Sequence, residues 1–239
     1  EVGGQFNVAK QVPGKEEFYE TIRYFNRKIE ITGVELKLNT LVNVAELNAS
    51  DFDEVILATG IAPRTPNIEG VEHEKVMNYL DVLKHKKVVG KKVAVIGAGG
   101  IGFDVSEYLC HSGESTSQNI PAFMKEWGID MSLTVRGGVK GIKPVRSPSA
   151  REVFLLQRKI SKVGKGLGKT TGWIHRTGLK NKDVTMLSGC EYHKVDDLGL
   201  HLSINGEKQI LDVDNVILCA GQDPLRELTH GLTKPYHLI

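Results

Sequence analysis

The stretch Lys91–Leu109, KKVAVIGAGGIGFDVSEYL, constrains the fold more than any other part of the chain. It begins with a continuous apolar run, Val93–Ile96, of the kind that a parallel strand covered on both faces requires. Gly97, Gly99 and Gly102 follow with the spacing G-x-G-x-x-G. The residues that would share one face of a helix after this turn are Ile101, Val105, Tyr108 and Leu109. The stretch therefore predicts a strand, a glycine turn and a helix.

The three glycines of this turn would each have a separate purpose. The first permits the tight turn, the second lets the backbone approach a pyrophosphate, and the third lets the helix pack closely on the strand. The amide groups at the start of the helix then face the anion. The strand and helix on either side make a dinucleotide site the favoured interpretation. A glycine-rich loop that binds nothing is the alternative.

Composition and charge exclude several classes of protein. The chain has 239 residues with 31 basic and 29 acidic side chains, a formal net charge of +2, which argues against nucleic acid as the main partner. No apolar run approaches the ~20 residues of a membrane helix, and the start carries no secretory signal. The three cysteines are Cys110, Cys190 and Cys219, which show no metal or disulfide spacing. We expect a cytoplasmic protein without a metal site, and we expect the chain to be a piece of a longer one.

The choice of cofactor should be decided after the next strand, predicted at Val153–Gln157. Sites that prefer NAD place an acidic residue there for the ribose hydroxyls, whereas sites that prefer NADP place arginine or lysine for the 2′-phosphate. This chain has Gln157, Arg158 and Lys159 and no acid. The pattern favours NADP(H), with Arg158 as the main phosphate ligand and Lys159 as support. An ordinary solvated basic pair at a strand end is the alternative.

An internal repeat indicates how the chain is organised. The first copy, 53–64 (DEVILATGIAPR), and the second copy, 214–225 (DNVILCAGQDPL), share one pattern. Two nucleotide-binding units, one nested in the other, would produce such a repeat. We therefore predict an α/β fold with a Rossmann-like unit at 87–214, which carries an insertion at 111–150, nested in a second unit formed by 1–86 plus 215–239.

Other segments give local predictions. A helix is predicted over 15–31, a strand over 34–38, a strand followed by a helix start within 76–83, and an antiparallel meander over 191–214. A helix over 168–180 would place Trp173, Ile174 and Leu179 in the core. The stretch KGLGKT before it lacks the first glycine of a phosphate-binding loop, because residue 163 is Val163. A nucleotide triphosphatase is therefore disfavoured, and no set of histidines, serines and acids suggests a catalytic or metal site.

Seven stretches also carry a family resemblance: EVGGQFN, ILATGIAPRTPNIEG, VAVIGAGGIGFDVSEYL, GESTSQN, VFLLQRK, GLGKTTGWIHRTGL and VILCAGQDP. Over essentially its whole length the chain resembles the carboxyl-terminal half of the bacterial NADPH-dependent 2,4-dienoyl-CoA reductases. The resemblance implies a glutathione-reductase-like pair of domains for FAD and NADPH. It further implies that the full-length enzyme has an amino-terminal (β/α)8 barrel with FMN and a 4Fe-4S cluster. Electrons would pass from NADPH to FAD, the cluster, FMN and the 2,4-dienoyl-CoA of unsaturated fatty acid β-oxidation.

The resemblance also assigns residues to the two nucleotides. For NADP(H), Gly99, Gly100 and Ile101 would hold the pyrophosphate, and Gln157, Arg158 and Lys159 would hold the adenosine phosphate. Gly97 and Gly102 of the glycine turn, together with Gly221, complete the residues predicted for this nucleotide. For FAD they are Gly4, Gln5, Val42, Ala58, Thr59 and Gly60. The first FAD strand and the loop that completes the flavin site have no counterpart in this sequence, so we expect an incomplete, partial FAD-binding domain. No catalytic residue is assigned, and we do not expect the chain to reduce a dienoyl-CoA alone, because the substrate would bind the barrel.

Two other interpretations stay open at this point. One is a non-catalytic nucleotide-binding or interaction module, which the incomplete FAD half suggests. The other is a related NADH:flavin oxidoreductase of the trimethylamine dehydrogenase type, which would share the general plan. Preference for NADPH over NADH and the ability to oxidise the nucleotide would separate these interpretations.

Overall fold

The computed structural model describes residues 1–239 and contains seven α-helices and twelve β-strands. The helices are α1 (Phe6–Ala9), α2 (Phe18–Thr32), α3 (Val44–Ala49), α4 (Tyr79–Leu83), α5 (Gly100–Cys110), α6 (Ile120–Trp127) and α7 (Gly172–Asn181). The strands are β1 (Val55–Leu57), β2 (Ile61–Pro63), β3 (Val76–Asn78), β4 (Lys92–Ile96), β5 (Glu152–Leu156), β6 (Thr185–Leu187), β7 (Cys190–Asp196), β8 (Gly199–Ile204), β9 (Glu207–Leu211), β10 (Asn215–Leu218), β11 (Gln222–Pro224) and β12 (Tyr236–Leu238). None of the helices combines the length and apolar character that a membrane crossing requires.

A five-stranded parallel sheet in the order β3-β10-β4-β5-β6 forms the centre of the fold. Alternate residues of β4 project to opposite faces of this sheet, as the pleat of a strand requires. Val93 and Val95 join a core with α4, α5 and α7, whereas Ala94 and Ile96 join a second core with β7 and β8. Both faces are therefore covered, which explains why Val93–Ile96 of β4 and Val216–Leu218 of β10 are continuous apolar runs rather than alternating ones.

The second face is covered by the antiparallel meander β7-β8-β9, which confirms the sequence prediction for this region. Its second turn is Asn205-Gly206, and both residues have positive φ angles of 51° and 84°. This conformation is typical of the tight hairpin turn that Asn-Gly favours. Leu200 and Leu202 of β8 are fully buried against the sheet.

The two copies of the internal repeat, 53–64 and 214–225, meet through β2 and β11, which pair antiparallel. The backbone amide of Arg64 donates to the carbonyl of Gly221 at 3.0 Å, and the amide of Leu225 donates to the carbonyl of Gly60 at 3.0 Å. These two bonds join equivalent positions of the two copies in opposite directions. The repeat is therefore related by a local pseudo-two-fold axis at the β2–β11 pair.

The two ends of the insertion at 111–150 lie side by side, because the amide of Ala150 donates to the carbonyl of Cys110, the last residue of α5, at 3.0 Å. Its helix α6 begins at an Asn119 cap and ends at Gly128, which has a left-handed conformation. Beyond α6, the Asp130 carboxylate accepts hydrogen bonds from the backbone and side chains of the residues that follow it, which lowers its pKa to about 2. The insertion therefore forms a separate segment on the surface and does not interrupt the β4–α5–β5 unit.

Several sequence predictions need correction here. The segment predicted as a strand over 34–38 has no regular structure and no β-partner. Trp173 and Ile174 of α7 are 55% and 38% exposed, and only Leu179 of the predicted trio is in the core. The helix predicted over 15–31 forms as α2, but none of its residues is fully buried and Phe25 is 51% exposed. Periodicity identified both helices correctly but could not identify which apolar side chains face a partner.

The predicted boundaries at 86/87 and 214/215 also differ from the sheet that the structure contains. They place β3 and β10 in the outer unit, yet both strands hydrogen-bond within the central sheet, β10 directly beside β4. The outer unit keeps β1, β2, β11 and β12 as two separate two-stranded pairs. The central sheet therefore extends beyond the predicted nested unit on both sides.

Candidate nucleotide-binding site

The glycine turn between β4 and α5 has the geometry that its sequence predicts. Gly97 has a φ angle of +111°, and a Cβ there would lie 2.3 Å from the carbonyl oxygen of Cys219 on the neighbouring strand connection. A Cβ on Gly102 would lie 1.7 Å from the carbonyl oxygen of Gly97. Both glycines are therefore required by the packing of the chain on itself.

Gly99 and Gly100 differ from these two glycines, because a Cβ on either would have no atom within 4 Å. The backbone here is open to an approaching ligand. Gly99 caps α5 without a side-chain hydrogen bond, and the amides of Gly99, Gly100 and Ile101 have no acceptor within the chain. Free amides at the positive end of a helix dipole form an anion-binding site.

A cavity of about 1070 Å³ opens in front of this turn, at the carboxyl ends of the central strands. Its floor includes Ile96 at the end of β4 and Cys219 just after β10. The chain crosses from β4 to β5 on one side, while β10 lies on the other, so the cavity lies at the switch point where α/β sheets bind ligands. The predicted site residues that line it are Gly97, Gly99, Gly100, Ile101, Gln157, Arg158, Lys159 and Gly221.

One end of the cavity is basic. Arg158 and Lys159 follow β5, are exposed, and make no side-chain hydrogen bond or ion pair with the protein. Lys165 lines the same cavity and is equally unpaired. Three cations without protein partners beside a row of free amides fit an anionic dinucleotide that carries an additional phosphate.

The segment that carries Lys165 is held in place. Gly164 has a φ angle of +74°, and a Cβ on it would lie 2.7 Å from the ring of Phe103 in α5. Its carbonyl accepts a hydrogen bond of 2.9 Å from Arg176 of α7. Lys165 is not among the residues predicted from the sequence, although its KGLGKT stretch is conspicuous there, because only the chain fold shows that this stretch returns to the cavity. The stretch is separated from β5 by a long connection, so it does not form a strand–loop–helix phosphate loop.

The opposite wall comes from the two copies of the internal repeat. Arg64 donates to the Asp223 carboxylate from Nε at 2.9 Å and from Nη2 at 2.6 Å, and Nη2 also donates to the carbonyl of Gln222 at 3.1 Å. Gln222 in turn donates from Nε2 to the Tyr79 hydroxyl at 2.9 Å. The Arg64 charge on this wall is therefore already compensated, in contrast to the three cations at the other end.

Tyr192 of β7 also lines the cavity, but its hydroxyl, unlike that of Tyr79, takes part in no hydrogen bond. The hydroxyl oxygen is buried and has no hydrogen-bond partner. Burial raises the pKa of this phenol, so it stays neutral at physiological pH. Because the oxygen is shielded, the part of Tyr192 that can meet a ligand is its ring.

A family model described as pyridine nucleotide-disulphide oxidoreductase matches residues 3–235 of the chain. The chain belongs to this family. It is accordingly a flavin-dependent NAD(P)H oxidoreductase domain, and the predicted α/β, two-nucleotide fold class is confirmed. Its three cysteines are free and buried.

Curated relatives agree with this assignment, and a solved structure agrees with the fold. The chain is 25% identical to a metal reductase of Desulforamulus reducens over 236 residues, which is 97% of this chain and 34% of that protein. It is 26% identical to a cinnamate reductase of Clostridium sporogenes over 215 residues, 88% of this chain and 27% of that protein. A 2-naphthoyl-CoA reductase complex matches 100% of this chain and 31% of its own, with a TM-score of 0.75 and 23% identity. The chain thus spans about a third or less of the proteins it matches.

The residues predicted for FAD lie outside the cavity of this oxidoreductase domain. Gly4 and Gln5 precede α1, Val42 precedes α3, and Ala58, Thr59 and Gly60 follow β1. All six are exposed. Thr59 donates from its hydroxyl to the carbonyl of Leu225 at 2.5 Å, so it is already engaged with the second repeat copy. Six exposed positions do not by themselves enclose a flavin, and their assignment to FAD stays a prediction.

Proposed function

We propose that this chain is the NADPH-binding portion of a flavoprotein reductase, and that the whole protein acts as an NADPH-dependent 2,4-dienoyl-CoA reductase. The observation that carries the choice of NADPH is the pair Arg158 and Lys159. The two side chains follow β5, line the dinucleotide cavity and have no protein partner. No acidic side chain takes the place where NAD-preferring sites bind the ribose hydroxyls. A 2′-phosphate would supply the negative counter-charge that these two cations do not find in the protein.

The chain's own residues would bind and orient the nucleotide. The free amides of Gly99, Gly100 and Ile101 would donate to the pyrophosphate at the start of α5. Arg158 would bind the 2′-phosphate by two hydrogen bonds from its planar guanidinium group, and Lys159 and Lys165 would add positive charge. Bound NADPH supplies a hydride to a flavin. Together these residues would hold its adenosine end in the cavity.

The finer parts of this proposal concern the whole protein and rest on the resemblance of the seven sequence stretches. They comprise FAD in the outer unit, FMN and a 4Fe-4S cluster in other parts of the protein, and a 2,4-dienoyl-CoA substrate of fatty acid β-oxidation that binds a separate barrel domain. A cytoplasmic location is supported by the three free, buried thiols. Neither nucleic acid nor a membrane surface is proposed as a partner, on the grounds of the balanced charge.

The test compares NADPH with NADH in binding titrations of the whole chain. Arg158→Ala should weaken NADPH binding by about 10- to 150-fold, the loss expected for a charged hydrogen bond of ~1.5–3 kcal/mol, while NADH binding changes little. Lys162→Ala is the matched control, since Lys162 is a nearby exposed cation that does not line the cavity. Equal affinity of the parent chain for the two nucleotides would reject the NADPH assignment.

Two alternatives give other results in the same experiment. An NADH:flavin oxidoreductase of the trimethylamine dehydrogenase type would bind NADH at least as tightly as NADPH. This alternative is favoured by the 33% identity over 134 residues to an NADH oxidase of Thermoanaerobacter brockii. A non-catalytic nucleotide-binding module would bind NADPH but oxidise none of it when FAD and an artificial electron acceptor are added.

A further inference from the structure

Gln157 is the first residue after β5, and every hydrogen-bond donor it has is used within the protein. Its side-chain amide nitrogen donates to the carbonyl of Lys159 at 2.9 Å and to the carbonyl of Ser161. Its backbone amide donates to the carbonyl of Leu187 at 3.0 Å, and its own carbonyl accepts from Cys190 at 3.0 Å. Two carbonyl acceptors fix the side-chain orientation, because only the NH2 end of the amide can donate.

These bonds leave Gln157 with no donor for a phosphate. The NH2 group has two hydrogens, and the two carbonyls take both. Its remaining side-chain atom is an acceptor oxygen, which a phosphate anion would repel. The geometry therefore does not suit Gln157 to the phosphate contact that the sequence analysis assigned to it.

The same bonds shape the segment 157–161, which has no helix or strand of its own. The Lys159 carbonyl accepts from the Gln157 side chain and also from the amide of Gly189 at 3.1 Å. Arg158 lies between the two anchored residues, and its side chain is free to face the cavity. A loop whose backbone is fixed before the ligand arrives loses less conformational entropy on binding.

We propose that Gln157 is a positioning residue for NADPH selectivity: its amide clamps the backbone of the 157–161 loop so that Arg158 and Lys159 meet the 2′-phosphate together. This inference rests on the proposed NADPH-binding function. Gln157 would influence phosphate binding only through Arg158 and Lys159.

The test is a double-mutant cycle on the whole chain, read as dissociation constants for NADPH and NADH. Gln157→Met keeps the side-chain length and removes the two donors. It should weaken NADPH binding about five- to tenfold and change NADH binding less than about twofold. In a chain that already carries Arg158→Ala and Lys159→Ala, the same Gln157→Met change should have no further effect on NADPH. Gln209→Met on exposed β9 is the control for the substitution itself.

Each other outcome overturns the inference in a distinct way. If Gln157→Met weakens NADPH by the same factor with and without Arg158 and Lys159, Gln157 contacts the phosphate directly. If it weakens NADPH and NADH equally, its role is general structure. Should Gln157→Met not fold, Gln157→Asn, whose amide is one methylene too short to reach both carbonyls, gives the same readout.

Failure of the proposed function would look different. In that case the change of Arg158 and Lys159 to alanine would leave the NADPH dissociation constant as it is in the parent chain. Arg158 and Lys159 would then not be phosphate-binding residues that Gln157 could position, and both proposals would be rejected. Loss of NADPH binding in the double alanine variant together with an unchanged Gln157→Met variant would reject only the positioning role.

Discussion

Gly102 lies so close to Gly97 that a Cβ on the first would lie 1.7 Å from the carbonyl oxygen of the second. Gly99 lies between them in the sequence, and a Cβ on Gly99 would have no other atom within 4 Å. Its φ angle is an ordinary −86°. The motif glycines therefore separate into two that the fold requires, Gly97 and Gly102, and one that only a ligand requires, Gly99.

The first prediction contrasts Gly102→Ala with Gly99→Ala. Gly102→Ala should lower the free energy of unfolding by about 3 kcal/mol or more, because α5 must move off β4. Gly99→Ala should leave the free energy of unfolding within about 1 kcal/mol of the parent, yet its methyl group should obstruct the pyrophosphate and abolish NADPH binding. Urea unfolding and an NADPH titration measure the two effects. A Gly99→Ala chain that binds NADPH like the parent would show that the turn is not the pyrophosphate site.

A second prediction concerns the ion pair of Arg64 and Asp223 on the opposite wall of the cavity. Asp223→Asn removes a negative charge beside a site for an anionic ligand and leaves the Arg64 guanidinium uncompensated. We expect NADPH to bind about two- to fivefold more tightly at low ionic strength, with the gain fading as salt screens the exposed charges. Titrations at about 20 mM and 500 mM salt test this, with Asp212→Asn, at a carboxylate paired with Lys92 outside the cavity, as the control. A gain that does not depend on salt would contradict the electrostatic explanation.

A third prediction follows from His175 of α7, whose Nδ1 lies 2.9 Å from Glu107 Oε1 of α5. The hydrogen bond to Glu107 raises the pKa of His175, against a smaller opposing effect of burial. Because the folded pKa is above the unfolded one, the stabilisation is fully present below about pH 6.5 and is lost as the pH rises through the folded pKa. We expect a loss of less than about 1 kcal/mol across that range.

His175→Gln should remove this pH dependence, and unfolding curves recorded from pH 6 to 9 measure it. His237→Gln is the matched control, because His237 pairs with Glu54 at 3.2 Å with both side chains 65% exposed. If the parent and His175→Gln lose stability in parallel as the pH rises, the α5–α7 pair is not the source of the dependence.

The fourth prediction compares Tyr192 with Tyr79, whose hydroxyl groups differ in whether they have a hydrogen-bond partner. The Tyr192 hydroxyl is buried without a partner, so Tyr192→Phe should raise the free energy of unfolding by about 1 kcal/mol. The Tyr79 hydroxyl accepts the Gln222 amide at 2.9 Å, so Tyr79→Phe should lower it by about 1 kcal/mol. Thermal or urea unfolding gives both values. Destabilisation by Tyr192→Phe would mean that its hydroxyl has a partner after all.

What the sequence could predict follows from how local each signal is. The apolar run Val93–Ile96 and the glycine spacing specify a strand, a turn and a helix within one stretch, and the structure contains them as β4 and α5. The Asn205-Gly206 turn is equally local, because two positive φ angles are a property of these residue types. A local structure that depends only on neighbouring residues can be predicted without knowledge of the fold.

What the sequence could not predict depends on partners far along the chain. Trp173 lies on a correctly predicted helix but faces solvent, since helical spacing does not show which face meets the core. The segment 34–38 alternates like a strand and has no strand beside it. Lys165 reaches the cavity only because Gly164 packs on Phe103 and Arg176, contacts that no sequence spacing encodes.

The β2–β11 pair has a consequence for how such a protein can be taken apart. Each repeat copy supplies the amide that satisfies a carbonyl of the other, at Gly60 and Gly221. Excision of either copy would expose the unpaired strand of the survivor and the two loops that follow β1 and β10. The outer unit is therefore held together by residues from both of its chain segments, and a truncation that removes either segment should yield an aggregating polypeptide rather than a smaller domain.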